Sequence, residues 1–100
     1  MENDFCEDFE VLNYFEDSYQ EYWRQQMLRT DWPDAKTLVK ILEDGTFFEK
    51  FGENAKLLLL ADGETLISYC AANSDGEVKF LFTFPSYRDK GCAKKLLESL

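Results

Sequence analysis

The spacing of apolar positions along this chain changes from one segment to the next, and each change marks an element. Phe9 to Tyr14 (FEVLNY) alternates loosely and predicts a short first strand. Beyond it Tyr19, Tyr22, Trp23 and Met27 recur at helical spacing, one aromatic stripe that reads as core packing. Ser18 and Glu21 match a capping box, in which N-cap and N3 side chains satisfy amides left over in a first helical turn. Trp32-Pro33 interrupts the pattern. A second helix is predicted from Ala35 to Asp44, with Leu38, Val39 and Leu42 inward and Gly45 just past its end. Thr46 and Glu49 repeat the capping box and open a short helix that points Phe47, Phe48 and Phe51 to the core.

After Gly52-Glu53-Asn54 the pattern becomes that of strands. Ala55 to Ala61 is a Leu-rich strand closed by Asp62-Gly63, a favoured two-residue hairpin signal, and Thr65 to Ala72 is its partner. Asn73-Ser74-Asp75-Gly76 turns the chain into Glu77 to Phe84, apolar on both faces over its second half. A strand buried on both faces belongs in the middle of a sheet. Pro85 ends it, and Gly91 to Leu100 predicts a helix with Ala93, Leu96, Leu97 and Leu100 on one face. The order of strand, helices, antiparallel meander and helix predicts an α+β fold, a mostly antiparallel sheet flanked by helices. At 100 residues the chain holds one domain, residues 1–100.

Composition narrows the chemistry. Hydrophobic residues make up 45% of the chain and aromatics 16%, enough to fill a packed core and to exclude disorder. Twenty acidic against eleven basic residues leave a formal charge of −9. A surface of that sign repels phosphate backbones, so no direct nucleic-acid contact is expected, and an anionic ligand must be held locally. Histidine is absent, which removes His-based triads, His-ligated zinc and imidazole bases; no metal is expected. Cys6, Cys70 and Cys92 are odd in number and show no CxxC spacing, so reduced thiols and a cytoplasmic location are the expectation. The acidic Met1-Glu2-Asn3-Asp4 start predicts no signal peptide, and the longest apolar run, Leu57 to Ala61, predicts no membrane span.

The chemistry concentrates at the junction FLFTFPSYRDKGCAKKLL, residues 80–97, where an apolar strand runs through a short loop into a helix that opens at a glycine. The first amides of a helix lack internal partners and carry the positive end of its dipole, which suits a phosphate. Gly91 and the small Ala93 let backbone approach such a ligand, and Arg88, Lys90 and Lys94 add positive charge around it. This Arg-x-x-Gly-x-Ala segment, with its strand before and Leu-rich helix after, resembles the coenzyme A signature of the GNAT (GCN5-related) N-acetyltransferases. The upstream order of strand, two helices and hairpin is also similar to that family's N-terminal half.

The resemblance implies a GNAT-like acyl-CoA N-acyltransferase fold, acetyl-CoA as cosubstrate, and a primary amine on a small molecule or protein as acceptor. It places Arg88, Gly91 and Ala93 at the motif positions around the pyrophosphate, Asp89, Lys90 and Cys92 between them, with Lys94 beside them. Phe82, Thr83 and Phe84 would lie along the pantetheine arm. The family continues with a further strand, helix and strand pair that this chain lacks after Leu100. The expectation is therefore a truncated domain, or a second copy or partner chain completing the sheet beside Glu77 to Phe84. Asp89 is expected as a helix N-cap turned away from the ligand, and Cys92 as the filler of a small apolar site. No catalytic residue stands out; Glu64 and Glu77 lie near strand ends as candidate bases, and Glu7-Asp8 and Glu16-Asp17 read as solvated surface. A different class of function also fits: an inactive acetyltransferase scaffold serving as an acidic interaction module or as an inhibitor of a nucleic-acid-handling enzyme.

Overall fold

The computed structural model describes residues 8–100; Cys6 and Glu7 lie outside them. Ten elements follow in order, beginning with β1 (Glu10–Asn13), a 3-10 turn at Tyr14–Glu16, α1 (Gln20–Met27), α2 (Pro33–Asp44) and α3 (Phe47–Phe51). The meander β2 (Lys56–Asp62), β3 (Thr65–Ala72) and β4 (Val78–Thr83) comes next, then a 3-10 turn at Pro85–Tyr87 and α4 (Cys92–Glu98). The four strands form one antiparallel sheet in the order β1-β2-β3-β4. The α+β class with an antiparallel sheet and flanking helices is as the pattern predicts.

Side chains alternate across a strand, so each central strand feeds two cores. Leu57, Leu59, Ala61, Tyr69 and Ala71 face α1, α2 and α3 and meet Trp23, Met27, Leu38, Val39 and Phe47. Leu58, Leu60, Ile67 and Cys70 face the opposite way, onto Cys92 and Leu96 of α4. The buried runs Leu57–Ala61 and Leu66–Ala72 therefore belong to strands covered on both sides. A bulge breaks the alternation: Leu60 pairs with Ser68 but Ala61 with Leu66, leaving Ile67 as the extra residue.

Several local expectations are corrected. The strand predicted to be central, Glu77 to Phe84, is the edge strand β4, with Val78 and Leu81 exposed; its apolar residues reach one core only, through Phe80 and Phe82. Ser18 does not cap α1. Tyr19 is the N-cap and makes no side-chain cap bond; Asp17 Oδ2 accepts from Tyr19 N–H at 2.8 Å and from the Trp23 indole N–H at 2.9 Å, tying the segment before α1 to the helix. Thr46 sits at the N-cap of α3 without a side-chain cap bond. Tyr19, Phe48 and Leu97, assigned inward from spacing, are exposed, because each short helix buries a narrower stripe than its apolar content offers. The β2–β3 turn residues are Gly63-Glu64, Asp62 being the last paired residue of β2. Pro33, a breaker in the sequence pattern, is the first residue of α2, where its missing N–H costs nothing.

Candidate functional site

The site is built by the end of β4 and the loop that follows. Phe84 N–H bonds the Ile67 carbonyl at 3.0 Å, so by antiparallel alternation Thr83 turns its own amide and carbonyl away from β3. Buried Ser68 anchors this end of β4, donating to the Phe82 carbonyl at 2.7 Å and lying 2.9 Å from the Thr83 hydroxyl. The chain then makes a single 3-10 turn, passes through Asp89 at φ 62° and Gly91 at φ 84°, and enters α4. Asp tolerates the left-handed region better than most residues, and Gly occupies it freely. Gly91 is the N-cap of α4, and no side chain caps that helix. Lys95 N–H to the Gly91 carbonyl, at 3.0 Å, is the first bond of the helical ladder.

These segments enclose an open cleft of about 570 Å³ around the outer edge of β4, lined by Trp32, Leu81, Phe82, Thr83 and Tyr87 and by residues of the 88–94 loop. Of the residues expected at a cofactor, Phe82, Thr83, Arg88, Asp89, Gly91, Cys92, Ala93 and Lys94 all line it. Phe84 does not: it packs on the main core and borders a second cavity beside Tyr22, Gln26 and Arg29. Lys90 is exposed and outside the cleft wall. Asp89 is not the N-cap, since the left-handed turn places Gly91 there instead.

Arg88 takes a position that its motif does not announce. Its Nε donates to the Thr83 carbonyl at 2.8 Å, and its guanidinium lies 5.4 Å from the centre of the Phe82 ring. The side chain thereby covers an outward acceptor of the edge strand, one of the devices by which proteins blunt a bare edge. Trp32, Leu81 and Tyr87 are the wall residues that sequence reasoning missed. Trp32 reaches β4 from the connection between α1 and α2, stacking on Phe82 with ring centres 5.0 Å apart. Its place immediately before a proline marked a break, and only the packing of α2 shows which surface the indole meets.

Cys92 is buried and disulfide-bonded, its partner lying outside the described residues, whereas Cys70 is a free buried thiol. The expectation of reduced thiols throughout is thus corrected. Glu77 is fully exposed, and its hydrogen bond and ion pair with Lys79, at 3.0 Å, hold its carboxyl below the usual range, so it makes a weak base. It does not line the cleft, and Glu64 borders the second cavity. Among the described residues no helix is long and apolar enough to cross a membrane.

Two groups beneath the cleft have shifted acidity. Burial pushes the Cys70 thiol up to about 11, and burial followed by the nearby Asp34 carboxylate raises the Tyr69 hydroxyl well above its ordinary value. Both shifts favour the protonated form in the folded chain. Their contribution is therefore intact below the unfolded thiol's value of 9.0 and is lost as pH rises from there toward 11. Urea midpoints measured across this range should be level near neutrality and decline above about pH 9; a level profile through pH 11 would contradict the burial of these groups.

Comparison with known proteins adds no assignment: no family model, no curated protein and no solved structure matches the chain.

Proposed function

We propose that the cleft binds the pyrophosphate and pantetheine arm of an acyl-coenzyme A, acetyl-CoA foremost, and that the chain serves N-acetyl transfer to a primary amine. The observation that carries this reading is the convergence of Arg88, Gly91, Ala93 and Lys94 with Phe82 and Thr83 on one open cleft. Small residues at the start of α4 leave its first turn approachable, while Lys94 and Arg88 supply positive charge on a chain that is otherwise strongly negative. Thr83 offers the outward backbone of an edge strand to an amide-bearing arm, once Arg88 releases its carbonyl. Calorimetric titration with coenzyme A should show binding at submillimolar concentration. No heat and no thermal shift at millimolar coenzyme A would end the proposal. Thiol release from acetyl-CoA in the presence of an amine panel separates transfer from binding alone.

The exposed edge favours a second reading, in which the scaffold is an interaction module. Val78 and Leu81 are exposed on β4, where edge pairing with a second copy would extend the sheet. Light scattering behind size exclusion should then return twice the chain mass; a monomer at high concentration would exclude the pairing. The −9 charge suits a basic partner instead, and capture that weakens as salt is raised, without thiol release, is its signature.

A further inference from the structure

Tyr69 is fully buried, and its hydroxyl has no hydrogen-bond partner among the described residues. That is unusual, because buried phenols almost always find one. Other buried hydroxyls in the fold obey the rule: the Tyr14 hydroxyl accepts from Arg24 at 2.8 Å, and Ser68 donates to the Phe82 carbonyl at 2.7 Å.

The surroundings of Tyr69 connect it to the cleft. Its ring packs against Phe82, with centres 5.7 Å apart, and against Trp32, 6.1 Å away. Trp32 and Phe82 stack on each other, and both line the cleft. Trp32 is only half-buried and stands in the connection between α1 and α2, immediately before the first turn of α2. Asp34, in that first turn, is close enough to act on the Tyr69 hydroxyl. The Tyr69 ring thus lies against an indole that forms part of the cleft wall.

We infer that the Tyr69 hydroxyl donates a hydrogen bond to the acyl carbonyl of a bound acyl thioester, which reaches it when the Trp32 indole turns off Phe82. This rests on the acyl-CoA reading and deepens it by giving the acyl end its own recognition group. The chemistry of the pocket selects the ligand. Burial and the Asp34 carboxylate keep the phenol protonated, so it acts as a donor, and a neutral carbonyl oxygen is the acceptor that suits it. An anionic group would be repelled by the same carboxylate. Trp32 and the start of α4 stand on opposite faces of the sheet, so a thioester whose diphosphate sits near Gly91 and Lys94 runs around the β4 edge to bring its acyl end to the aromatic side. A site that holds an otherwise orphaned donor discriminates strongly for the ligand that satisfies it.

The test compares coenzyme A with acetyl-CoA by calorimetry in the full chain and in Tyr69→Phe. The expected result is an affinity for acetyl-CoA about tenfold above that for coenzyme A, lost in Tyr69→Phe with coenzyme A affinity unchanged. The variant should melt at or above the parent temperature, because it removes a buried hydroxyl that has no partner. Equal affinity for the two ligands in the parent chain, or a parallel fall for both in the variant, overturns the inference and leaves acyl-CoA binding standing. A variant that melts several degrees lower also overturns it, by showing that the hydroxyl already serves the fold. Failure of both ligands to bind the parent chain removes the acyl-CoA reading itself.

Discussion

Ala93→Glu should abolish coenzyme A binding by at least about 100-fold, equivalent to about 2.7 kcal/mol, while leaving the fold intact. Ala93 lies in the first turn of α4 and lines the cleft. A glutamate there suits the helix, because a carboxylate near an N-terminus is favoured by about 0.3–1 kcal/mol. The same carboxylate fills the approach to the helix start and repels a diphosphate, so stability and binding move in opposite directions. Circular dichroism melting together with calorimetric titration separates the two effects. Retained affinity in a folded variant would mean that the ligand, if one binds, does not use this turn. Gly91→Ala is a less clean probe, because φ 84° costs an alanine about 1 kcal/mol whatever the ligand does.

Gly52→Ala should be among the most damaging single-methyl changes in the chain, costing about 2–4 kcal/mol. Gly52 ends α3 at φ 106° and ψ 161°, a region open essentially to glycine alone. A Cβ at this position would lie 2.0 Å from the Ser74 hydroxyl oxygen and 2.7 Å from its Cβ. Ser74 has little room to retreat. Its N–H bonds the Phe51 carbonyl at 2.9 Å, and its hydroxyl accepts from Asn54 N–H at 2.9 Å, so both bonds tie the β3–β4 turn to the end of α3 and the turn after it through this one residue. Urea unfolding of the alanine variant should show a midpoint lowered by most of that stability; an unchanged midpoint would mean that the turn shifts freely. Ser74→Ala in the same background would relieve only the oxygen contact, leaving the strain at φ and the clash with Cβ.

Much of the site was legible because strand, loop and glycine-led helix form one contiguous segment. Arg88 to Lys94 come together locally, and Phe82 and Thr83 lie only a few residues upstream, so their shared cleft needs little from the rest of the chain. Phe84 parts from the cleft for a reason of parity. It follows Phe82 at a spacing of two and so shares its core-facing side, but the strand ends at Thr83 and the chain turns there, which directs Phe84 to the second cavity. The contribution of Trp32 to the cleft wall was hidden because it comes from a connection remote in sequence. Helix starts were the other weak point: Ser18 and Thr46 match a capping box in sequence, yet the N-caps of α1 and α3, Tyr19 and Thr46, make no side-chain cap bond.

Hydrophobic spacing by itself determined the helices, the meander and their order, since period and turn chemistry are properties of neighbouring residues. The run of apolar positions in β4 told that it touches a core but not whether another strand flanks it, because burial on two faces and hydrogen bonding along an edge are independent. The tertiary structure alone decided that β4 lies at the edge, that Arg88 covers the Thr83 carbonyl, that Cys92 is bonded, and that Trp32 stands over Tyr69. Each of these depends on distances between segments that the chain brings together only by folding.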